Sequence, residues 1–230
     1  MSSTQRLSLR PAAPDTTVRA LLACGIVSSL LYAVANDALA VARYPGYDPV
    51  SQVVSELTTT GTPTRAPLLV VGLVWAVLLG AFGAGVWRAA RGRRGLRVTA
   101  GLLMGYAAVQ PLWIPFPMSP RGEIPTAAGP AGAVHVALAA ATVAIMFTAM
   151  GFGAAALGRR FRRFTAGAAV AALVSGAYTF ATVPRFQAGD PTPWAGLAER
   201  VTIAAWLLWI AVLGATLLRE RTTEREETGS

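Results

Sequence analysis

Four residues able to do acid–base or metal chemistry lie in or beside apolar sequence: Asp37, Glu56, His135 and Glu199. An aspartate at the centre of a membrane-crossing helix costs about 2.5–3.5 kcal/mol, so an acid in that setting needs a partner or a task. Asp37 lies four residues from the end of the apolar run 20–41 and continues a small-residue stripe, Gly25, Ser29 and Ala33, at four-residue spacing. It therefore faces other helices. There it either pairs with an arginine such as Arg43 or Arg200, or serves as a general acid or base.

His135 opens the apolar run 131–157 on a similar stripe, Ala131 and Ala139. It is either a proton carrier or a neutral histidine held by one hydrogen bond. A metal site needs several ligands, and one histidine with one cysteine, Cys24, offers too few. No metal and no cofactor is expected. Glu199 and Arg200 begin the run 194–218; the helix dipole alone favours a glutamate in a first turn, so Glu199 is either a dipole partner or an acid–base group. Glu56 shares a polar face with Ser51, Gln52 and Ser55, which is either solvated or part of a site. Asp37, Glu56, Glu199 and His135 form the candidate catalytic set. Tyr47, Asp48, Ser55, Gln110, Trp113, Arg200 and Trp206 form the candidate substrate-binding set.

The elements that must position these residues are membrane helices. The chain is 54% hydrophobic and 13% charged, with mean hydropathy +0.51. Its apolar residues fall into six runs, 20–41, 66–87, 96–114, 131–157, 164–183 and 194–218, each near the roughly 20 residues that cross a bilayer. The first run is too long for a cleavable leader and is expected to remain as a span. The fold class expected is all-α, a six-span bundle over residues 18–219, with an unstructured head 1–17 and a polar, unstructured tail 220–230.

All twenty basic residues are arginine. Fifteen lie before the first run, between the second and third, between the fourth and fifth, or after the sixth. Only Arg43, Arg65, Arg121, Arg185 and Arg200 fall on the other side. That asymmetry predicts both termini in the cytoplasm of a bacterial plasma membrane, and it assigns the net charge of +9 to topology and lipid attraction rather than to nucleic acid. Membrane lipids and an amphiphilic small molecule are the partners expected; the sequence does not set an oligomeric state.

With that topology Asp37, Asp48, Glu56, Gln110, His135, Glu199 and Arg200, from five separate segments, all fall in the outer third. Asp48 and Pro49 supply an N-cap and a first helical residue, and Val50, Val53, Val54 and Leu57 share a face, so a short amphipathic helix is expected in the first outer loop. Prolines 111, 115 and 117 break the third run close to the outer interface, which calls for protein or water around the freed backbone. Polar groups above apolar walls suit an amphiphile such as a lipid or isoprenoid. An enzyme acting on a lipid or prenyl substrate, cyclisation included, is the alternative, with Trp113 and Trp206 steadying positive charge. A small transporter is the third class. No nucleotide loop, HExxH motif or Ser-His-Asp order is present in a suitable context.

Tyr44-Pro45-Gly46-Tyr47-Asp48-Pro49, Ser55-Glu56-Leu57, Phe116-Pro117, His135 and Gly196-Leu197-Ala198-Glu199-Arg200 leading into Trp206-Leu207-Leu208 resemble the domain of unknown function 998 family of prokaryotic membrane proteins. The resemblance implies six spans and a prokaryotic origin, and carries no activity with it. Where this family often has an acid just after the Phe-Pro, this chain has Met118 and Ser119, with Glu123 further on.

Overall fold

A computed structural model describes residues 15–123 and 130–229. Every regular element in them is helical. The helices are α1 Asp15–Arg43, α2 Arg65–Ala89, α3 Arg94–Val109, α4 Pro130–Ala156, α5 Arg159–Ala181, the short α6 Val183–Ala188 and α7 Ala195–Gly229. Two 3-10 turns, Val54–Thr58 and Gln110–Trp113, lie between them.

Five helices, α1, α2, α4, α5 and α7, are long and apolar enough to cross a membrane. The third expected span is the exception. α3 has 16 residues, about 24 Å at 1.5 Å per residue against about 30 Å of hydrocarbon. Pro111 cannot donate to an α-helical ladder, and the chain tightens into the 3-10 turn 110–113 instead. The tail also differs from expectation, since α7 continues helical to Gly229. Of the head, residues 1–14 lie outside the described residues and Asp15 to Thr17 already belong to α1.

Neighbours in space run α4, α3, α2, α1, α7, α5, and α7 touches α1, α2, α4 and α5. Its Trp209, Ile210 and Leu213 are fully buried for that reason. An oblique row of rings crosses the bundle: Tyr32, Trp75, Tyr106, Trp206, Trp209 and Phe161 lie 5.2–6.0 Å apart from one to the next. Such spacings are those of favourable tilted and stacked pairs. Close helix approach is achieved at Gly85, where an added Cβ would lie 2.9 Å from the backbone of Leu21 and Leu22. Gly101 and Gly105, at the four-residue spacing that suits close helix packing, have nothing within 4 Å of either added Cβ. Small size permits close packing; it does not compel it.

Two ends result. Arg93 pairs with Glu220 and Arg19 donates to Thr222, which gathers the start of α1, the α2–α3 turn and the end of α7 at an arginine-rich end. Residues 44–64, 110–123 and 182–194 gather at the other, the cap end.

Candidate functional site

Three arginines build the cap, and each works by supplying donors to a chain segment that has left helical geometry. Arg200, in the second turn of α7, donates to Asp37 on α1 through Nη2 at 2.8 Å and Nε at 3.1 Å. The Tyr47 hydroxyl donates to the same Asp37 oxygen and accepts from Arg200 Nη2. Arg200 Nη1 donates to the carbonyls of Pro49, Gln52 and Gly196 at 2.8, 2.9 and 2.9 Å. A guanidinium carries five N–H donors in a fixed fork, and here all three nitrogens are engaged.

Arg121 holds the next stretch of loop. Its Nε and Nη2 donate to both oxygens of Glu56 at 3.0–3.2 Å, Nη1 donates to the Asp190 carbonyl at 2.9 Å and Nη2 to the Thr192 hydroxyl at 3.0 Å. Its charged carbon sits 4.6 Å from the centre of the Phe186 ring, a cation–π distance. Glu56 in turn accepts the Val53 amide at 2.9 Å. Arg65 is the third clamp, donating to the carbonyls of Thr58 and Ile114 and so tying the loop to the proline-broken segment.

Glu199 completes the cap from α7, accepting from the Val54 amide and from the Ser55 hydroxyl at 2.7 Å. The Leu197 amide donates to the Val50 carbonyl at 3.0 Å. This approach leaves no room at Gly196, where a Cβ would stand 2.2 Å from the Gln52 carbonyl oxygen and 2.6 Å from that of Pro49. The start of α7 and the loop thus share a backbone-to-backbone contact that only glycine permits.

These bonds correct the expected amphipathic helix. Asp48 does cap a turn, its carboxylate accepting the Val50 amide at 2.9 Å, and Gln52 N–H bonds back to the Asp48 carbonyl at 2.8 Å. The helix stops there, because Glu56 and Glu199 take the Val53 and Val54 amides and α7 takes the carbonyls of Pro49, Val50 and Gln52. A 3-10 turn follows at 54–58. Val53, Val54 and Leu57 are buried as the pattern expects, whereas Val50 is exposed; Glu56, on the face read as either solvated or part of a site, is buried.

The site residues therefore fall into separate groups. Asp37, Tyr47 and Arg200 form one cluster; Ser55 and Glu199 another; Glu56 a third with Arg121. His135 stands apart, its Nδ1 2.9 Å from the Phe116 carbonyl and its ring edge-on to Trp113 at 4.8 Å. With Nδ1 donating to that carbonyl, Nε2 is left as the acceptor. Gln110 starts the 3-10 turn before it, and Trp206 lies buried in the aromatic row. Asp48 stays exposed. The indole nitrogens of Trp75 and Trp206 are buried with no hydrogen-bond partner.

Outside the spans, two groups have displaced ionisation. Burial and the hydrogen bond to Asp37 push the Tyr47 phenol up to about 12. Bonds from the Ser51 hydroxyl and the Val50 amide hold Asp48 below the usual carboxylate range. The Tyr47 shift follows from the loop being held against α1, and the Asp48 shift from the hydrogen bonds of its own exposed turn. Among the described residues, no group of three His, Cys, Asp or Glu is placed to hold a metal ion.

Arg121 and Thr192 were not singled out from the sequence. Both sit in loops without a periodic pattern, and the one available signal was that Arg121 is among the few arginines on the sparsely charged side. The cap joins the neighbouring segments 44–49 and 55–57 to the distant segment 196–200. The model of the family described as Protein of unknown function (DUF998) matches residues 26–216. The chain belongs to this family. No curated protein and no solved structure matches it. The DUF998 match begins inside α1 and ends inside α7, so it takes in the whole cap and the helices that carry it. This DUF998 protein is a multi-pass membrane protein by the length and hydropathy of its helices.

Proposed function

We propose that this chain is a six-span protein of the bacterial plasma membrane, both termini cytoplasmic, that holds an amphiphile, a lipid or isoprenoid, at its cap end. The observation that carries the reading is the asymmetric exposure of one ion pair: the Asp37 side chain is 43% exposed while its partner Arg200 is 16% exposed. An acid at membrane depth that remains open is a site by default. Around it the helix surface is apolar and uncovered. Val34 and Val41 are one turn either side of Asp37, and Leu197 and Val201 flank Arg200; all four are exposed. A polar head carrying hydrogen-bond donors or positive charge suits the open carboxylate, with its chain along the exposed faces of α1 and α7.

The acid–base alternative has less support. Glu56 and Glu199 are spent on holding the loop: the first accepts two N–H donors of a guanidinium and one amide, the second an amide and a hydroxyl. His135 is in neither cluster.

Mass spectrometry of lipids that co-purify with the detergent-solubilised protein tests the binding reading. Asp37→Asn removes the charge at constant size, and loss of one charge-assisted bond, about 1.5–3 kcal/mol, lowers retention at least about tenfold. Equal retention by wild type and Asp37→Asn, with both folded, refutes it. The orientation is tested separately in a Cys24→Ser background. An impermeant thiol reagent on intact cells labels Thr60→Cys and spares Gly158→Cys; the opposite pattern refutes the topology.

A further inference from the structure

Two tyrosines sit on the inward faces of their helices and are nevertheless not sealed. Tyr32 lies on the stripe of α1 that carries the buried Ser29, Asn36 and Ala40, and Tyr106 on the stripe of α3 that carries the buried Thr99 and Leu103. Their rings meet Trp75 of α2 at 5.2 and 5.7 Å, and Tyr106 meets Trp206 of α7 at 5.5 Å. Both tyrosines are only partly buried. Neither phenol makes a hydrogen bond among the described residues, and neither oxygen is closed off. The polar atoms there that are both closed off and unpartnered are the Thr59 hydroxyl and the indole nitrogens of Trp75 and Trp206. The third group in reach is Glu199, since Tyr32 lies within electrostatic range of both Tyr106 and Glu199. The Glu199 oxygens accept from the Val54 amide and the Ser55 hydroxyl, and each still has a lone pair to offer.

We propose that the inner side of the cap, between α1, α3 and α7, binds water: one or a few ordered molecules bond the Tyr32 and Tyr106 hydroxyls and donate to the Glu199 carboxylate. A hydroxyl buried without a bond is costly, and within a bilayer no bulk water relieves it. Water asks for two to four polar partners and little room, and it both donates and accepts, as two phenols beside a carboxylate require. An anion is repelled by Glu199, and a metal cation leaves both phenol hydrogens unbonded. The site is separate from the open Asp37 carboxylate. Five residues turn α1 by about 140°, so Tyr32 faces the bundle while Asp37 does not. Its failure leaves the reading of Asp37 standing.

Radiolytic footprinting of the full chain in lipid nanodiscs tests the assignment, because hydroxyl radicals made from bound water oxidise the side chains beside it. Tyr32 and Tyr106 gain oxygen. Phe82 and Trp209, both fully buried and the second bonded to the Thr165 hydroxyl, do not. Tyr32→Phe and Tyr106→Phe give a second reading. With water bound, each variant loses a hydrogen bond and Tm falls by about 2–4 °C; a dry, unpartnered phenol is relieved by the same change, and Tm holds or rises. Should either variant fail to fold, the footprint of the wild-type chain decides. Oxidation of the two tyrosines no faster than that of Trp209, or a Tm held or raised in both variants, overturns the site. Oxidation seen in detergent that vanishes in nanodiscs assigns the space to acyl chains and overturns it too.

Discussion

Changing Glu56 to glutamine separates a cap held by charge from one held only by shape. The carboxylate accepts the Val53 amide at 2.9 Å and three contacts from Arg121 at 3.0, 3.1 and 3.2 Å. Each of these donors is obligate; neither an amide N–H nor a guanidinium can turn round to accept. An amide oxygen in the Oε2 position keeps the Val53 bond. The amide nitrogen then faces the Arg121 donors directly, and a 28% exposed guanidinium loses its counter-charge. Hydrogen bonds to charged groups are worth about 1.5–3 kcal/mol, and partial exposure places the loss at about 2–3 kcal/mol. For a chain of this size that is a fall of about 4–12 °C in Tm.

Glu199→Gln is the internal control, because its partners differ in kind. One oxygen accepts the Val54 amide and the other the Ser55 hydroxyl, which can rotate and accept from the new amide nitrogen. Both bonds survive without their charge, at a cost of about 1 kcal/mol, or about 2–4 °C. Thermal unfolding of the detergent-solubilised protein, followed by tryptophan emission, reads both. A Glu56→Gln variant within 1 °C of wild type, or a larger loss for Glu199→Gln than for Glu56→Gln, refutes this account. An acid–base role for Glu199 requires something else again, a stable variant that binds its amphiphile and no longer turns it over.

Gly196→Ala drives a Cβ into the Gln52 and Pro49 carbonyls and is expected to cost about 3 kcal/mol, with the loop released to added protease near Thr60. Protection equal to wild type refutes the close approach. The Tyr47 phenol, raised to about 12 from the ordinary 10, stabilises the fold in full below pH 10 and progressively less as pH rises through 12. Absorbance titration of wild type against Tyr47→Phe shows the missing phenolate above pH 11; a difference titrating near 10 contradicts the buried Tyr47–Asp37 contact. Asp48, depressed instead, contributes above its ordinary value near 3.8 and loses its contribution as pH falls through the lowered one, so Asp48→Asn differs from wild type at neutral pH and converges with it in acid.

The helices were legible because lipid imposes a coarse rule that sequence obeys over 20 residues at a time: apolar length gives the span. The same rule overstated the helical length of the third run, where Pro111 ends the ladder after 16 helical residues. It also misjudged the loop. Pro49 to Leu57 has the period of a helix, and its apolar residues Val53, Val54 and Leu57 are indeed buried, yet the backbone is not helical beyond one turn. Its amides and carbonyls had better partners in Glu56, Glu199, Arg200 and the Leu197 amide, supplied from up to 151 residues away. Pairing at that range has no signature in spacing. For Asp37 the sequence offered an arginine such as Arg43 or Arg200 as one of its open readings, and the structure pairs it with Arg200, whose fork also reaches the loop carbonyls. That choice explains an oddity in the charge count. Of the five arginines on the sparsely charged side, Arg65, Arg121 and Arg200 each donate to backbone carbonyls of the cap end. They are where they are because an irregular loop against a membrane bundle needs donors that reach several acceptors at once, and arginine alone brings five.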